Sequence, residues 1–177
     1  MAGGIQKGMV ATDEAARTLD KHCKNAAKVF NEHLVPKHGG RLVAVKAMPK
    51  DKIPGGTGAC QPDGWLWFFD GVLIAAFEAK KQQDKGNAIE RWYKNNFICR
   101  TVNPDVSYVT FAVGEGAYEA GQIGKILSPA HTGSSGAFNA YVPGRNSCFM
   151  SRVGFSAAEV QAIMLQVINE RIESLSQ

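Results

Sequence analysis

Two apolar, aromatic-rich segments separated by Asp70-Gly71 form the clearest pattern in the chain. Asp-Gly between such segments is typical of the two-residue turn of a β-hairpin. If these two residues form the turn, Phe69 pairs with Val72 and, further along both strands, Asp63 lies opposite Glu78. Both faces of the hairpin are then apolar, which predicts a central, buried position. One face carries Trp65, Trp67, Phe69, Val72, Ile74 and Ala76, and the other carries Leu66, Phe68, Leu73 and Phe77.

Helical spacing of apolar residues predicts one helix near each end of the chain. Thr12 is a candidate N-cap for a helix over residues 13–34, which Pro36 would end. Ser156-Ala157-Ala158-Glu159 has the pattern of a capping box and would open a final helix. The apolar stripe of that helix would pack on the core or, as a second possibility, contact the other subunit of a dimer. The stripe consists of Val160, Ile163, Met164, Val167, Ile168 and Leu175.

Two further strands are predicted at residues 41–47 and 106–113. With a helix that follows the hairpin, the elements have the order helix, three strands, helix, strand (αβββαβ). We therefore expect one α/β (α+β) domain over residues 1–177, with a mixed central sheet flanked by helices. After the last of these strands, the sequence of residues 118–127 favours a short helix.

The composition is that of an ordinary globular domain, with 45% hydrophobic and 20% charged residues. The formal net charge of +4 is compatible with a nucleic-acid partner but does not identify one. Cys23, Cys60, Cys99 and Cys148 contain no CxxC pair, so a zinc site is not expected. Free thiols in a reducing cytoplasm are the simplest explanation for these cysteines.

Neither a targeting segment nor a membrane segment is expected. The first ten residues lack the apolar core of a signal peptide, and no run reaches the ~18 apolar residues of a membrane span. Gly55-Gly56-Thr57-Gly58 is not followed by the Gly-Lys-Ser/Thr of a phosphate-binding loop, so no nucleotide cofactor is expected. These features predict a soluble, cytoplasmic protein.

Three charged side chains gather at one end of the predicted hairpin. Opposed residues on antiparallel strands have Cβ atoms roughly 5 Å apart, so Asp63 and Glu78 would be close, and Lys80 would share their face. Two such carboxylates can bind a hard divalent cation such as Mg²⁺, and a lysine can hold or deprotonate a water molecule. The simpler explanation for an isolated pattern of this kind is a turn residue at Asp63 and a Glu78–Lys80 ion pair.

The segment Gly86-Asn87-Ala88-Ile89-Glu90-Arg91 opens the helix that follows the hairpin. Asn87, Glu90 and Arg91 have i, i+3 and i+4 spacing and share one helix face. Asparagine can make a bidentate contact with adenine, glutamate can accept from an exocyclic amino group, and arginine can donate to base acceptors. An exposed helix start with a Glu90–Lys94 pair is the alternative.

Pro62-Asp63, followed by Glu78-Ala79-Lys80, resembles the PD…(D/E)xK signature of restriction-endonuclease-like nucleases. The hexapeptide at residues 86–91, with Lys94-Asn95 after it, is similar to the recognition helix of the EcoRI-like group of type II restriction endonucleases. The close resemblance covers residues 62–95, and residues 107–116 carry a fainter one. It implies a restriction-endonuclease-like core.

The resemblance also implies a site-specific deoxyribonuclease of a restriction–modification system. Such an enzyme would act as a homodimer on a short palindrome in double-stranded DNA, with Mg²⁺, and leave 5′-phosphates. Asp63, Glu78 and the Ala79 carbonyl would hold the metal, and Lys80 would position or deprotonate the water. Asn87, Ala88, Glu90 and Arg91 would read a core like AATT, and Lys85, Gly86 and Lys94 would also contact the DNA.

For several other positions the sequence leaves the role of the residue open. The link at residues 81–85 is shorter than in the family, so the readers of flanking bases are unassigned among Gln83, Arg145 and Arg152. Lys46, Lys50 and Lys52 either contact DNA phosphates or belong to a solvated loop. Glu14 and Glu32 either assist the metal site or are surface residues. Residues 128–147 are either an arm that contacts DNA or a second subunit, or a disordered loop.

Two other functions remain open. A repair or recombination nuclease of the same fold would read DNA structure rather than sequence, and the base-reading face at residues 87–91 argues against it. A DNA-binding protein without catalysis would not need Asp63, Glu78 and Lys80 together.

Overall fold

A five-stranded mixed sheet flanked by helices forms the centre of the molecule. The mixed sheet and the flanking helices were predicted from the sequence, but with four strands. The computed structural model describes residues 2–81, 87–113, 141–151 and 153–177. In chain order the elements are α1 (Ala2–His33), β1 (Leu42–Val45), β2 (Leu66–Phe69), β3 (Val72–Lys81), α2 (Asn87–Val102), β4 (Ser107–Val113), β5 (Asn146–Ser151) and α3 (Ala157–Ser176). Short 3₁₀ turns lie at Val35–His38 and Lys50–Lys52.

The five strands lie side by side in sequence order. β2 runs antiparallel to both of its neighbours, β1 and β3, whereas β4 runs parallel to β3 and β5 runs parallel to β4. The connection from β3 to β4 passes through α2, as a parallel crossover requires. The sequence pattern missed β5, because only the middle of Asn146–Ser151 is apolar and the segment begins inside the Gly/Ser-rich stretch. The helix predicted at residues 118–127 lies outside the described residues.

The Asp70-Gly71 turn is confirmed. Phe69 pairs with Val72, and both turn residues have positive φ, 51° and 79°, as a type I′ turn requires. The Arg41 guanidinium donates two hydrogen bonds to the Asp70 carboxylate, at 2.9 and 2.6 Å. It also lies 4.6 Å from the centroid of the Phe69 ring. Arg41 thus ties the turn to the start of β1.

A β-bulge changes the register beyond the turn. Phe68 pairs with Leu73 as predicted, but Trp67 pairs with Ala75, so Ile74 is an extra residue on β3. One extra residue reverses the alternation of faces along the rest of a strand. The predicted division of the hairpin into two faces is therefore wrong beyond the bulge. Phe77 packs on the side of Trp67, and Ala76 packs on the opposite side.

The same bulge overturns the predicted pairing of Asp63 with Glu78. Gly64 donates a backbone hydrogen bond to the Phe77 carbonyl at 2.8 Å, and the Ala79 amide donates to the Asp63 side chain at 3.0 Å. Asp63 therefore lies beside Ala79, one residue further along β3 than predicted. Glu78 is on the face covered by α2, where its side chain contacts that helix.

A hydrophobic core lies on each face of the sheet. On one face α1 and α3 pack together against Trp67, Phe69, Phe77 and Phe111, through Leu19, Cys23, Ala27 and Phe30 of α1 and Val160, Met164 and Val167 of α3. On the other face α2 contributes Trp92, Ile98 and Cys99, which pack with Leu66, Phe68, Leu73, Ala76 and Tyr108. The second half of β3 is consequently enclosed between α1 on one side and α2 on the other.

The outer helices differ from the prediction at their ends. Thr12 lies within α1, which begins at Ala2, so it is not the N-cap that the sequence predicted. The capping box of α3 is confirmed, since Ser156 Oγ accepts from the Glu159 amide at 3.1 Å and the Glu159 carboxylate accepts in return. Leu175 is 43% exposed, and Ile172 takes its place in the buried stripe. None of the described helices is long and apolar enough to cross a bilayer.

Candidate active site

Glu78 is a buried carboxylate with a nearly complete set of partners. Lys80 Nζ lies 3.1 Å from Glu78 Oε1, and Asn95 Nδ2 donates to the same oxygen at 3.3 Å. The hydroxyl of Tyr108 donates to Glu78 Oε2. A carboxylate has about four lone-pair directions, so these three contacts leave roughly one free for another donor or a cation. Glu78 is thus held in one orientation with limited remaining capacity.

The contact between α2 and β4 supplies two of these partners. Trp92 of α2 donates its indole N–H to Thr110 Oγ1 at 2.8 Å, and its ring lies edge-on to that of Tyr108 at 5.7 Å. Asn95 follows three residues later on the same side of the helix. Burial, followed by the charge of Glu78, raises the pKa of Tyr108 well above its usual range. Tyr108 therefore keeps its proton and acts as a donor to the carboxylate.

Asp63 shares a proton with a residue of α1. Its Oδ2 accepts from the Ala79 amide at 3.0 Å, and its carboxyl group is hydrogen-bonded to that of Asp20. Burial, followed by Asp20, raises the pKa of Asp63 to about 7. Burial opposes the ionisation of Asp20, but hydrogen bonds with Asp63 and Lys24 outweigh it and lower the pKa of Asp20. Below about pH 7 the proton of this pair is therefore expected on Asp63 rather than on Asp20.

Close backbone packing holds Asp63 against β3. A Cβ on Gly64 would lie 2.5 Å from the Phe77 Cβ, so only glycine fits this approach. The Gly64 carbonyl accepts from the Trp67 indole at 2.9 Å. Trp65, which follows, has a positive φ of 70°, a conformation that bulky residues rarely adopt. These features turn the chain from Asp63 into β2.

Asp63 and Glu78 open onto one cleft of about 530 Å³ between α1 and α2. Basic side chains from both helices and from β3 surround the carboxylates there, and this mixture suits a phosphate ligand that carries its own cation. The charged and amide residues of its lining are Arg17, Asp20, Gln61, Asp63, Glu78, Lys80, Arg91, Lys94 and Asn95.

The structure brings some of the predicted residues together and not others. Asp63, Glu78, Ala79 and Lys80 line the cleft, and so do Arg91 and Lys94 from the predicted recognition helix. Glu90 is exposed and does not line it. Asn87 and Ala88 begin α2, but their side chains lie outside the described part, as do Lys85, Gly86, Gln83 and Arg152. Arg145 is exposed next to β5, away from the cleft lining.

The secondary candidates do not line the cleft that contains Glu78. Glu14 and Glu32 are exposed on α1, and neither lines the cleft. Lys50 and Lys52 are exposed on a 3₁₀ turn. Lys46 instead lies over the Trp65 ring, 5.4 Å from its centroid, on the other side of Asp63.

Sequence reasoning missed three residues of the site, namely Asp20, Asn95 and Tyr108. Asp20 follows Leu19 and precedes Cys23 by three positions, so it lies at the border of the apolar stripe of α1, which is a weak signal. Tyr108 lies in a fully buried strand, where its hydroxyl group requires a buried partner. Asn95 belongs to the segment quoted for the family resemblance, but its contact with Glu78 depends on the packing of α2.

The donor atoms fit a hydrated divalent cation. In the ranges that the structure describes, no group of three or more His, Cys, Asp and Glu side chains is close enough to hold a metal ion. Mg²⁺, however, usually keeps several waters and is bound through one or two carboxylates and substrate phosphates. Asp63 and Glu78 supply that number. Among the residues that the structure describes, none donates a hydrogen bond to the buried Oδ1 of Asn95, which can therefore accept from a metal-bound water.

Comparisons of the chain with protein-family models, curated proteins and solved structures returned no match. The function therefore has to be inferred from the residues of the cleft.

Proposed function

We propose that this protein is a Mg²⁺-dependent type II restriction endonuclease of the EcoRI-like group, with a restriction-endonuclease-like core. It would cleave double-stranded DNA at a short palindrome with a core like AATT and leave 5′-phosphates. One observation carries the proposal: Asp63, Glu78 and Lys80 share a cleft with Arg91 and Lys94 of the helix that follows. Carboxylates that can bind a metal ion thus lie beside basic side chains that can bind a phosphate backbone.

The chain's own residues suit phosphodiester hydrolysis. Lys80 is held by Glu78 and has further N–H donors with which to position a water molecule, and a neutral lysine could accept the water's proton. The water oxygen forms the new bond to phosphorus, the bond to the 3′ oxygen breaks, and a 3′-hydroxyl and a 5′-phosphate result. Bound Mg²⁺ would polarise a phosphoryl oxygen and lower the pKa of its water. Lys80 adds positive charge where negative charge develops.

Asp63 has to lose its proton before its carboxylate can take part in metal binding. Because the proton is shared with Asp20, a divalent cation and the proton compete for the same pair of carboxyl groups. Metal affinity should therefore rise with pH up to and somewhat above 7. The Ala79 carbonyl remains a candidate third ligand, because the backbone amide of the same residue already donates a hydrogen bond to the Asp63 side chain.

The recognition role assigned to α2 is part of the proposal. Asn87 and Ala88 lie in the first turn, where backbone N–H groups favour an anionic neighbour. Glu90 is exposed and available to a base, whereas Arg91 and Lys94 line the cleft. A homodimer would present two such helices to a palindrome, because two-fold protein symmetry matches two-fold symmetry of the site.

A structure-directed nuclease is the second candidate. The position of Arg91 favours it, because a guanidinium group that lines the carboxylate cleft is as well placed for a phosphate as for a base. A DNA-binding protein that lacks catalysis is the third, and the presence of Asp63, Glu78 and Lys80 together in one cleft argues against it.

Digestion of a sequenced plasmid with Mg²⁺, followed by sequencing of the fragment ends, tests the proposal. We expect discrete fragments whose ends share a core like AATT, and loss of cleavage with Lys80→Ala or with chelator. Lys37→Ala is the matched control, since it removes an exposed lysine outside the cleft. Cuts confined to branched DNA would favour the second candidate. Binding to DNA without cleavage by any divalent ion would favour the third.

A further inference from the structure

A second cleft adjoins the first on the far side of Asp63. It has a volume of about 490 Å³ and shares Gln61 and Asp63 with the cleft that contains Glu78. Its lining comes from α1, from the residue after β1 and from the segment before β2: Lys24, Asn25, Lys28, Lys46, Gln61, Pro62, Asp63 and Trp65. We call it the lysine groove. Any chain bound in both clefts would pass directly over Asp63.

The groove has unneutralised positive charge. Lys24 and Lys28 are one helical turn apart and lie on the same side of α1. Lys24 is paired with Asp20 at 2.8 Å. Lys28 and Lys46 make no salt bridge with any carboxylate in the described part of the chain. Two free ammonium groups beside a carboxylate cleft therefore form a local attraction for anions.

Trp65 gives the groove an aromatic wall. Its positive φ of 70° is a strained conformation for a non-glycine residue. Such strain is retained where the surrounding structure needs the side chain in one place, which motivates a functional assignment. Here it directs the half-buried indole into the groove, where Lys46 Nζ lies 5.4 Å from the ring centroid.

We propose that the lysine groove binds the sugar–phosphate backbone of the DNA strand next to the phosphodiester that is cleaved. Lys28 and Lys46 contact phosphates, and the Trp65 indole packs against the deoxyribose between them. Contacts to phosphates and sugars hold a protein in position on duplex DNA without reading its sequence, and a groove with two lysines and an aromatic wall can supply such contacts. This inference rests on the proposed nuclease function, and it adds a backbone-binding surface on α1 that is separate from the recognition helix.

The salt dependence of DNA binding tests this inference. Backbone contacts do not depend on sequence, so any labelled 30-base-pair duplex serves, with Ca²⁺ in place of Mg²⁺ and fluorescence anisotropy as the readout. Removal of one phosphate-binding lysine should reduce the slope of log K against log salt by about 0.9. The double variant Lys28→Ala/Lys46→Ala should thus lower the slope by about 1.8 and weaken binding at least roughly tenfold at 0.1 M salt.

Lys21→Ala/Lys37→Ala is the control of equal charge, because both lysines are exposed and neither lines the groove. A reduced slope in the groove variant alone supports the inference. An equal change in both double variants, or no change in either, refutes the groove while leaving the nuclease proposal intact. A wild-type protein that binds no duplex at any salt concentration would refute both. Circular dichroism of each variant verifies folding.

Discussion

Replacement of Asp63 by asparagine should stabilise the metal-free protein at alkaline pH. The pKa of Asp63 is raised from its ordinary value of 3.8 to about 7, by burial and by Asp20. Between these two values the folded protein binds more protons than the unfolded chain, so stability falls as pH rises through this window. Below it both states are protonated and the penalty is absent. An asparagine side chain at this position has no charge to desolvate at any pH.

The pKa values set the size of the effect. The gap between 3.8 and about 7 corresponds to a penalty of about 4 kcal/mol at high pH. The opposite shift of Asp20 offsets part of it, and the carboxyl group faces an open cleft, so we expect about 2 kcal/mol. Asp63→Asn should therefore have a free energy of unfolding about 2 kcal/mol higher than wild type at pH 8, and this difference should shrink steadily as the pH falls toward the ordinary pKa of 3.8.

Urea unfolding followed by tryptophan fluorescence in the presence of a chelator measures this difference at pH 5, 6, 7 and 8. Asp51→Asn serves as the control, because Asp51 is exposed on a 3₁₀ turn and its replacement should leave the wild-type pH dependence unchanged. Added Mg²⁺ at pH 8 should stabilise wild type but not Asp63→Asn. A difference between variant and wild type that is the same at pH 5 and pH 8 would refute the assignment of the proton to Asp63.

Two further predictions concern the supports of the site. Tyr108→Phe removes a donor from the buried Glu78 carboxylate and should lower the free energy of unfolding by about 1–3 kcal/mol. In a double-mutant cycle with Glu78→Gln, additive effects would show that the Tyr108 hydroxyl and the Glu78 carboxylate do not interact. Gly64→Ala places a Cβ 2.5 Å from that of Phe77 and should cost about 1–3 kcal/mol in urea unfolding, whereas Gly55→Ala, with no atom within 4 Å, should be nearly neutral. Equal stability of the two alanine variants would contradict the close-packing explanation.

Local sequence signals were sufficient where one residue type dictates the backbone. Asp70-Gly71 predicted its turn because few other pairs tolerate positive φ at both positions. Ser156 and Glu159 predicted the start of α3 because each satisfies a backbone N–H of the other. In both cases the determining contacts are no more than three residues apart, so no tertiary information was needed.

The register beyond the turn could not be predicted in this way. Alternation of polar and apolar residues fixes a register only where one face is polar, and both faces of this hairpin are apolar. The bulge at Ile74 therefore left no mark in the pattern. Asp63 and Glu78 still line one cleft, although Asp63 lies beside Ala79. The contributions of Asp20 and Tyr108 depend on how α1 and α2 pack on the sheet, which the sequence does not specify locally.

The bulge at Ile74 also separates β3 into two stretches with different constraints. The turn sets the pairing of Val72 and Leu73 with β2. For the residues after Ile74, the extra residue determines which face of the sheet each side chain occupies. Deletion of Ile74 would rotate Glu78 and Lys80 toward the core of α1 and α3 without altering either residue. An insertion or deletion on this strand should therefore be tolerated in evolution only together with a second one that restores the original faces. Point substitutions near Ile74 should be far better tolerated than any change in chain length.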